Sequence, residues 1–176
     1  MDLHPFRQNN PGVGGRELRI KTKDLALVSI YAALYAVLVY LFAPIAYNAL
    51  QFRFAGVIRP AVAKKWILSI GYAIGVVVAN LFSPFVGPFE LVFMPLVSLT
   101  AALVGYAAAH KFNGNYFICG AVIATIVPIG VTVMLYQLFG LPIPVTFAYL
   151  LVSEQIVCLI GASLFTLIDR RYKWWK

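Results

Sequence analysis

Four side chains in apolar surroundings have types and spacing that could do chemistry. Arg53 and Arg59 stand six residues apart in ALQFRFAGVIRPAVAKK (49–65), and Glu90 and Glu154 each sit among Phe, Leu, Val and Ile. Their opposite signs allow two uses. They can pair with one another and fix helix register, or they can hold a polar solute. A carboxylate accepts two hydrogen bonds from an N–H edge, and a guanidinium donates to a carbonyl edge. Gln51 and Asn80 add amides that do both, and Tyr149 adds a ring on which a flat molecule stacks. Catalysis is not indicated. His4 and His110 lie in flanking segments, no His-Glu-x-x-His helix occurs, and no serine has an evident His and Asp partner. Cys119 and Cys158 lie singly in apolar runs without metal-ligand spacing and read as packing residues. The PGVGG stretch at 11–15 lacks the Gly-Lys-Ser/Thr ending of a phosphate loop. No metal and no cofactor are expected, and no enzyme.

The elements that must position these groups follow from composition. The 176 residues are 62% hydrophobic and 11% charged, against about 45–50% and about 25% in soluble globular chains. That balance indicates a multi-pass protein of the cell membrane. The net charge of +8 falls in short clusters between apolar runs, not along one exposed stripe, so nucleic-acid binding is not expected. No apolar core followed by a small-residue cleavage site occurs in the first 24 residues, so no removable leader is expected.

Six apolar runs suit a hydrocarbon layer of about 30 Å: Leu25 to Ala43, Ala49 to Ala63, Trp66 to Phe82, Phe89 to Ala109, Tyr116 to Phe139 and Pro144 to Ile168. Between them stand short connections rich in Pro, Gly and Asn, or the Lys64–Lys65 pair. If all six cross, Arg19, Lys21, Lys23, Lys64, Lys65, Lys111, Arg170, Arg171, Lys173 and Lys176 share one side, and the opposite loops hold no Lys or Arg. The positive-inside rule then makes both termini cytoplasmic. The expected organisation is a basic tail at 1–24, an all-α six-transmembrane-helix bundle at 25–168, and a basic tail at 169–176.

Charges inside such a bundle cost about 2.5–3.5 kcal/mol each on insertion scales, so each needs a partner or a ligand. Counted at about 1.5 Å per residue, Arg59 and Glu154 both lie roughly 15 Å below the outer end, and Arg53 is shallower, like Glu90. On an α-helix the two arginines diverge by about 120°, so they need not share a target. Ala32 and Ala36, four apart on the first span, form a small-residue face that permits close helix approach.

The stretches FAPIAYNALQFRFAGVIRP, ANLFSPFVGPFELVFMPLVSLTAALVGY and FGLPIPVTFAYLLVSEQIVCLIG resemble, in order and spacing, the QueT family. The similarity runs from about Leu25 to Ile168. Its most specific pieces are QFR at 51–53, ANLFSP at 79–84 and the GLP turn that precedes Glu154. The resemblance implies the substrate-binding S component of an energy-coupling factor (ECF) transporter, of the ABC importer type, with a queuosine precursor as cargo. It implies partners as well: a transmembrane coupling subunit, met by small residues such as Ala32 and Ala36, and two ATPase subunits that supply energy. Glu154 is then the carboxylate for a 7-deazaguanine, with Gln51, Asn80, Glu90 and Tyr149 lining the site. Arg53 contacts the cargo or locks its helix to Glu90, and Arg59 with Glu154 is a structural ion pair. This chain departs from the family pattern at Gly56, where a glutamate is common, at Glu90 in place of an aspartate, and near Met94 and Pro95, where a glycine is expected. These departures leave open a different vitamin-like solute as cargo. A membrane scaffold whose ion pairs only fix register is the reading from another class.

Overall fold

Apolar runs and their caps set the helix boundaries. The computed structural model describes residues 22–43 and 53–175. Helix α1 spans Thr22–Leu41, a 3-10 helix spans Phe54–Lys64, and α2 spans Leu68–Asn80. A π-helical turn at Phe89–Phe93 leads into α3, Met94–His110. Helix α4 spans Tyr116–Phe139 and α5 spans Ile143–Arg171. No strand occurs among the described residues.

The caps are readable chemistry. The Asn115 side chain accepts hydrogen bonds from the amides of Phe117 and Ile118, at 2.8 and 3.4 Å, and starts α4. Gly140, at φ 65°, ends that helix in the left-handed region that a glycine takes without cost. Arg170 and Arg171 occupy the last turn of α5, where cations oppose the helix dipole. Among the described residues four helices are long and apolar enough to cross a membrane: α1, the π turn with α3 (Phe89–His110), α4 and α5. The described residues make an all-helical membrane protein. Helix α2 is apolar but only 13 residues long, and α5 runs past Ile168 to Arg171.

The second expected span differs most from its sequence reading. The periodicity suggests a short α-helix from Ala49 to Ala63, but the described part is an 11-residue 3-10 helix. Such runs seldom exceed 3–4 residues because their hydrogen bonds are poorer. Here the surroundings compensate. Residues 58–63 are all buried, as are Ala55 and Gly56. The Tyr31 hydroxyl donates to the Ile58 carbonyl at 3.1 Å, and the Cys158 thiol donates to that of Gly56 at 3.7 Å. Pro60 has no N–H to offer the Val57 carbonyl, which instead lies over Gly161 of α5. A Cβ built on Gly161 would come within 1.9 Å of that oxygen.

The changed helix type changes the geometry of the site. At about 3.0 residues per turn, positions three apart eclipse one another. Gly56 and Arg59 therefore share one face, and Arg53 stands just before the helix as its N-cap, with non-helical backbone. The α-helical spacing behind the expected 120° divergence does not apply to this segment. At about 2.0 Å per residue the two arginines stand roughly 12 Å apart along the axis.

Glycine also decides how α1 meets α2. A Cβ on Gly71 would lie 2.9 Å from the Val28 carbonyl, and one on Gly75 would lie 3.0 Å from that of Ala32. The two helices thus pack backbone to backbone, as small residues permit.

Gly161→Ala is expected to lower stability by about 1–3 kcal/mol through overpacking against Val57. Gly87→Ala, whose new methyl would meet nothing nearer than 3.7 Å, should leave the thermal midpoint in detergent unchanged. Equal midpoints for the two variants would show that the close approach of α5 is not limiting.

Candidate functional site

Two buried polar groupings lie along the 3-10 helix. The deeper one centres on Arg59, which has no exposed surface. Its Nη1 forms a salt bridge and hydrogen bond with Glu154 Oε2 on α5, and its guanidinium carbon lies 5.5 Å from the Tyr72 ring centre. Tyr72 in turn meets Tyr35 edge to face, at 5.0 Å between ring centres. Gly56 stands directly over the pair. A Cβ there would lie 3.2 Å from both Arg59 Nη1 and Glu154 Oε2, and 3.0 Å from Val157. No side chain fits at Gly56 unless the pair or Val157 yields.

The shallower grouping is built from three elements. Arg53 opens the 3-10 helix, Asn80 ends α2, and Glu90 lies in the π turn. All three are at least 95% buried. Pro95 explains the turn locally, since it has no N–H with which to continue a regular ladder, and π turns are frequent at functional sites. The Asn80 amide donates to the Glu90 backbone carbonyl at 2.7 Å. This bond anchors the turn and leaves Asn80 Oδ1 as an unused acceptor.

What distinguishes this grouping is its unmet hydrogen-bonding capacity. Arg53 Nε, Asn80 Oδ1, Glu90 Oε2 and the Tyr35 hydroxyl are buried without a hydrogen-bond partner. Thr132 Oγ on α4 is in the same condition. Arg53 lies within electrostatic reach of Tyr35, Tyr72 and Glu90, yet no ion pair joins it to Glu90 among the described residues. Buried polar atoms are nearly always paired, and each unpaired one costs about 1–3 kcal/mol. Donors and acceptors concentrated in this way form a site that a polar solute would satisfy. Arg59 Nε and Nη2 are also unpartnered, so the deeper arginine retains donor capacity beyond Glu154.

The sequence-expected residues fall into separate places. Arg53, Asn80 and Glu90 come together in the shallow grouping, whereas Arg59 and Glu154 come together below them. Tyr149 is 41% exposed on α5, turned outward rather than covered by the bundle. Gln51 lies outside the described residues. Ala32 is buried against Gly75, Ala36 is half-buried, and Ala33 beside them is exposed. Sequence reasoning did not single out Tyr35, Tyr72 or Thr132. Buried tyrosines in a membrane helix look like interfacial anchors until their neighbours are known. Among the described residues no group of His, Cys, Asp and Glu is placed to hold a metal ion.

A family model described as QueT transporter matches residues 25–170. No curated protein and no solved structure matches the chain.

Glu154→Gln and Arg59→Met each leave a buried charge uncompensated and should destabilise the protein by about 3–5 kcal/mol. Arg59→Met combined with Glu154→Leu should recover most of that loss. Thermal unfolding of all three in one detergent reads this out. Single variants as stable as the parent would contradict the pairing.

Proposed function

The chain belongs to the QueT transporter family, and on that premise we propose that it is the S component of an ECF importer that captures a 7-deazaguanine-type queuosine precursor near the outer membrane face. The observation that carries this reading is the buried grouping of Arg53, Asn80, Glu90 and Tyr35, whose polar atoms have no partners. A 7-deazaguanine offers a matching edge. Its ring N–H and exocyclic amine donate to the Glu90 carboxylate, its carbonyl accepts from Arg53, and Asn80 Oδ1 takes a remaining donor. Tyr35 and Tyr72 supply aromatic surface beside it. Because Glu154 is engaged by Arg59, we assign the solute-binding carboxylate to Glu90. Glu154 then holds Arg59 in place beneath the solute.

The proposed topology has six crossings, with α2 and the 3-10 helix as the two short ones and both termini cytoplasmic. It is supported by Lys64, Lys65, Lys111, Arg170, Arg171 and Lys173, all at one end. No nucleotide-binding loop occurs in the chain, so uptake would draw on partner ATPases through a coupling subunit. Ala32 is covered by α2. This directs the coupling contact to Ala36 and its exposed neighbours Ala33 and Val37. A scaffold role is favoured by one observation, the Arg59–Glu154 pair, but it gives no account of the unpaired atoms around Glu90.

Purified protein should bind 7-cyano-7-deazaguanine or its aminomethyl analogue, measured by isothermal titration and thermal shift. Glu90→Gln should weaken binding by roughly 10–100-fold, the range for a charged hydrogen bond, with little loss of stability. Unchanged affinity in Glu90→Gln would remove Glu90 from the site. Absence of binding to any deazapurine, together with binding of another planar solute, would replace the cargo and keep the site.

A further inference from the structure

The opposite, basic end of the bundle holds a cavity of about 330 Å³, where the 3-10 helix, the turn between α3 and α4 and the last turn of α5 meet. Lys64, Asn113, Tyr116, Asp169, Arg170 and Lys173 contribute to its walls. Three cations there face one carboxylate, and that carboxylate is already engaged. Asp169 Oδ1 accepts from Trp175 Nε1 at 2.6 Å, while Oδ2 lies 3.8 Å from Lys64 Nζ and 3.6 Å from Lys173 Nζ. Lys64 is further held over the rings of Tyr116 and Trp175, at 4.9 and 5.5 Å. It also donates to the Asn113 carbonyl at 3.4 Å. The positive charge of Arg170 is left uncompensated by any ion pair among the described residues.

Tyr116 supplies a second, independent sign of a ligand. It lines this cavity and is only 4% exposed, yet its hydroxyl donates to no acceptor among the described residues. The Trp174 indole N–H lies beside the Tyr116 hydroxyl, which can accept from it and still keep its own proton to donate. The hydroxyl proton of Tyr116 needs an acceptor, so it and the excess of cations call for the same thing, an anionic oxygen. The surroundings indicate what carries it. Arg170 is shared with an adjoining groove of about 640 Å³, whose other walls are Leu167, Ile168, Arg171 and Tyr172. Leu167 and Tyr172 are 60% and 68% exposed. A charged chamber and an apolar groove with one arginine between them match an amphiphile. A free phosphate would leave the groove unexplained, and a zwitterionic lipid would leave the charge unexplained.

We propose that this end of the protein binds an anionic glycerophospholipid, its phosphate held by Arg170, Lys173 and the Tyr116 hydroxyl and an acyl chain lying along Leu167, Ile168 and Tyr172. Basic pockets between membrane helices bind such headgroups by the attraction of clustered cations. The site is independent of the cargo site, and its occupancy does not depend on the identity of the solute. A bound lipid would tie the end of α5 to the turn before α4, the two segments that Lys64 already bridges.

Native mass spectrometry of the full chain in a nonionic detergent tests this, with dioleoyl phosphatidylglycerol, dioleoyl phosphatidylcholine and inorganic phosphate added separately. The phosphatidylglycerol should be retained one to one, and the phosphatidylcholine at least about tenfold less. Arg170→Gln with Lys173→Gln should cut retention by roughly 10–30-fold. Lys23→Gln, which removes a charge from the same end but outside the cavity, should not. Tyr116→Phe should lower retention about fivefold; this change barely alters shape, so it decides the matter if the double variant fails to fold. Equal retention of phosphatidylcholine would overturn the proposal in favour of a general lipid shell. Displacement of phosphatidylglycerol by inorganic phosphate would overturn it in favour of a free-anion site. A loss in Lys23→Gln equal to that in the double variant would reduce it to diffuse attraction.

Discussion

A guanidinium with no exposed surface, in a protein built for lipid, has to be neutralised where it stands, and Glu154 does this for Arg59. Moving either charge into lipid without the other is so unfavourable that the pair fixes the register of the 3-10 helix against α5. The rest of the interior is arranged around that constraint. Gly56 leaves room above the pair, Tyr72 covers the guanidinium, and Gly161 lets α5 reach the Val57 carbonyl. The pair is thus a condition for placing the 3-10 helix at all, and the shallower arginine inherits its position from it.

The unusual helix type has a functional consequence through geometry alone. Winding at about three residues per turn sets Gly56 and Arg59 on one face, and Arg53 caps the start of the same helix, so the segment brings two buried guanidiniums to the interior at different depths. The lower one is matched by a carboxylate. The upper one faces Glu90 without closing an ion pair, in company with Asn80 and Tyr35. The lower arginine carries stability, and the upper one keeps hydrogen-bonding capacity unspent. Such a division is economical in a membrane bundle, where a polar solute must be desolvated before any protein group can contact it.

The two ends of the molecule differ in what they offer. Around Glu90 the polar atoms are few, deeply buried and mixed in donor and acceptor character, which suits a flat solute with two kinds of edge. At the basic end three cations face one carboxylate and the Tyr116 hydroxyl proton lacks an acceptor, which suits an anion. Both follow from the same accounting of unpaired polar atoms, and they reach different chemistry because the surrounding charge differs.

Much of the outline was legible in the sequence. Apolar runs, Pro and Gly punctuation and the confinement of Lys and Arg to certain connections gave the order of helices and their approximate ends, because lipid enforces length and apolarity locally. The four charges that matter were visible for the same reason: an arginine or glutamate in an apolar run has to be there for a partner or a ligand. Depth counting even set Arg59 level with Glu154. The helix type at Phe54–Lys64 was not legible. It depends on contacts from Tyr31, Cys158 and Gly161, tens to a hundred residues away in the chain, that no local pattern encodes. The partner choice of each arginine, the idle state of Glu90 and the membership of Tyr35 likewise depend on long-range packing. The sequence by itself determined which groups had to be neutralised or used inside the membrane. Tertiary structure alone decided which were neutralised and which stayed available, since only three-dimensional proximity assigns a partner to a buried charge.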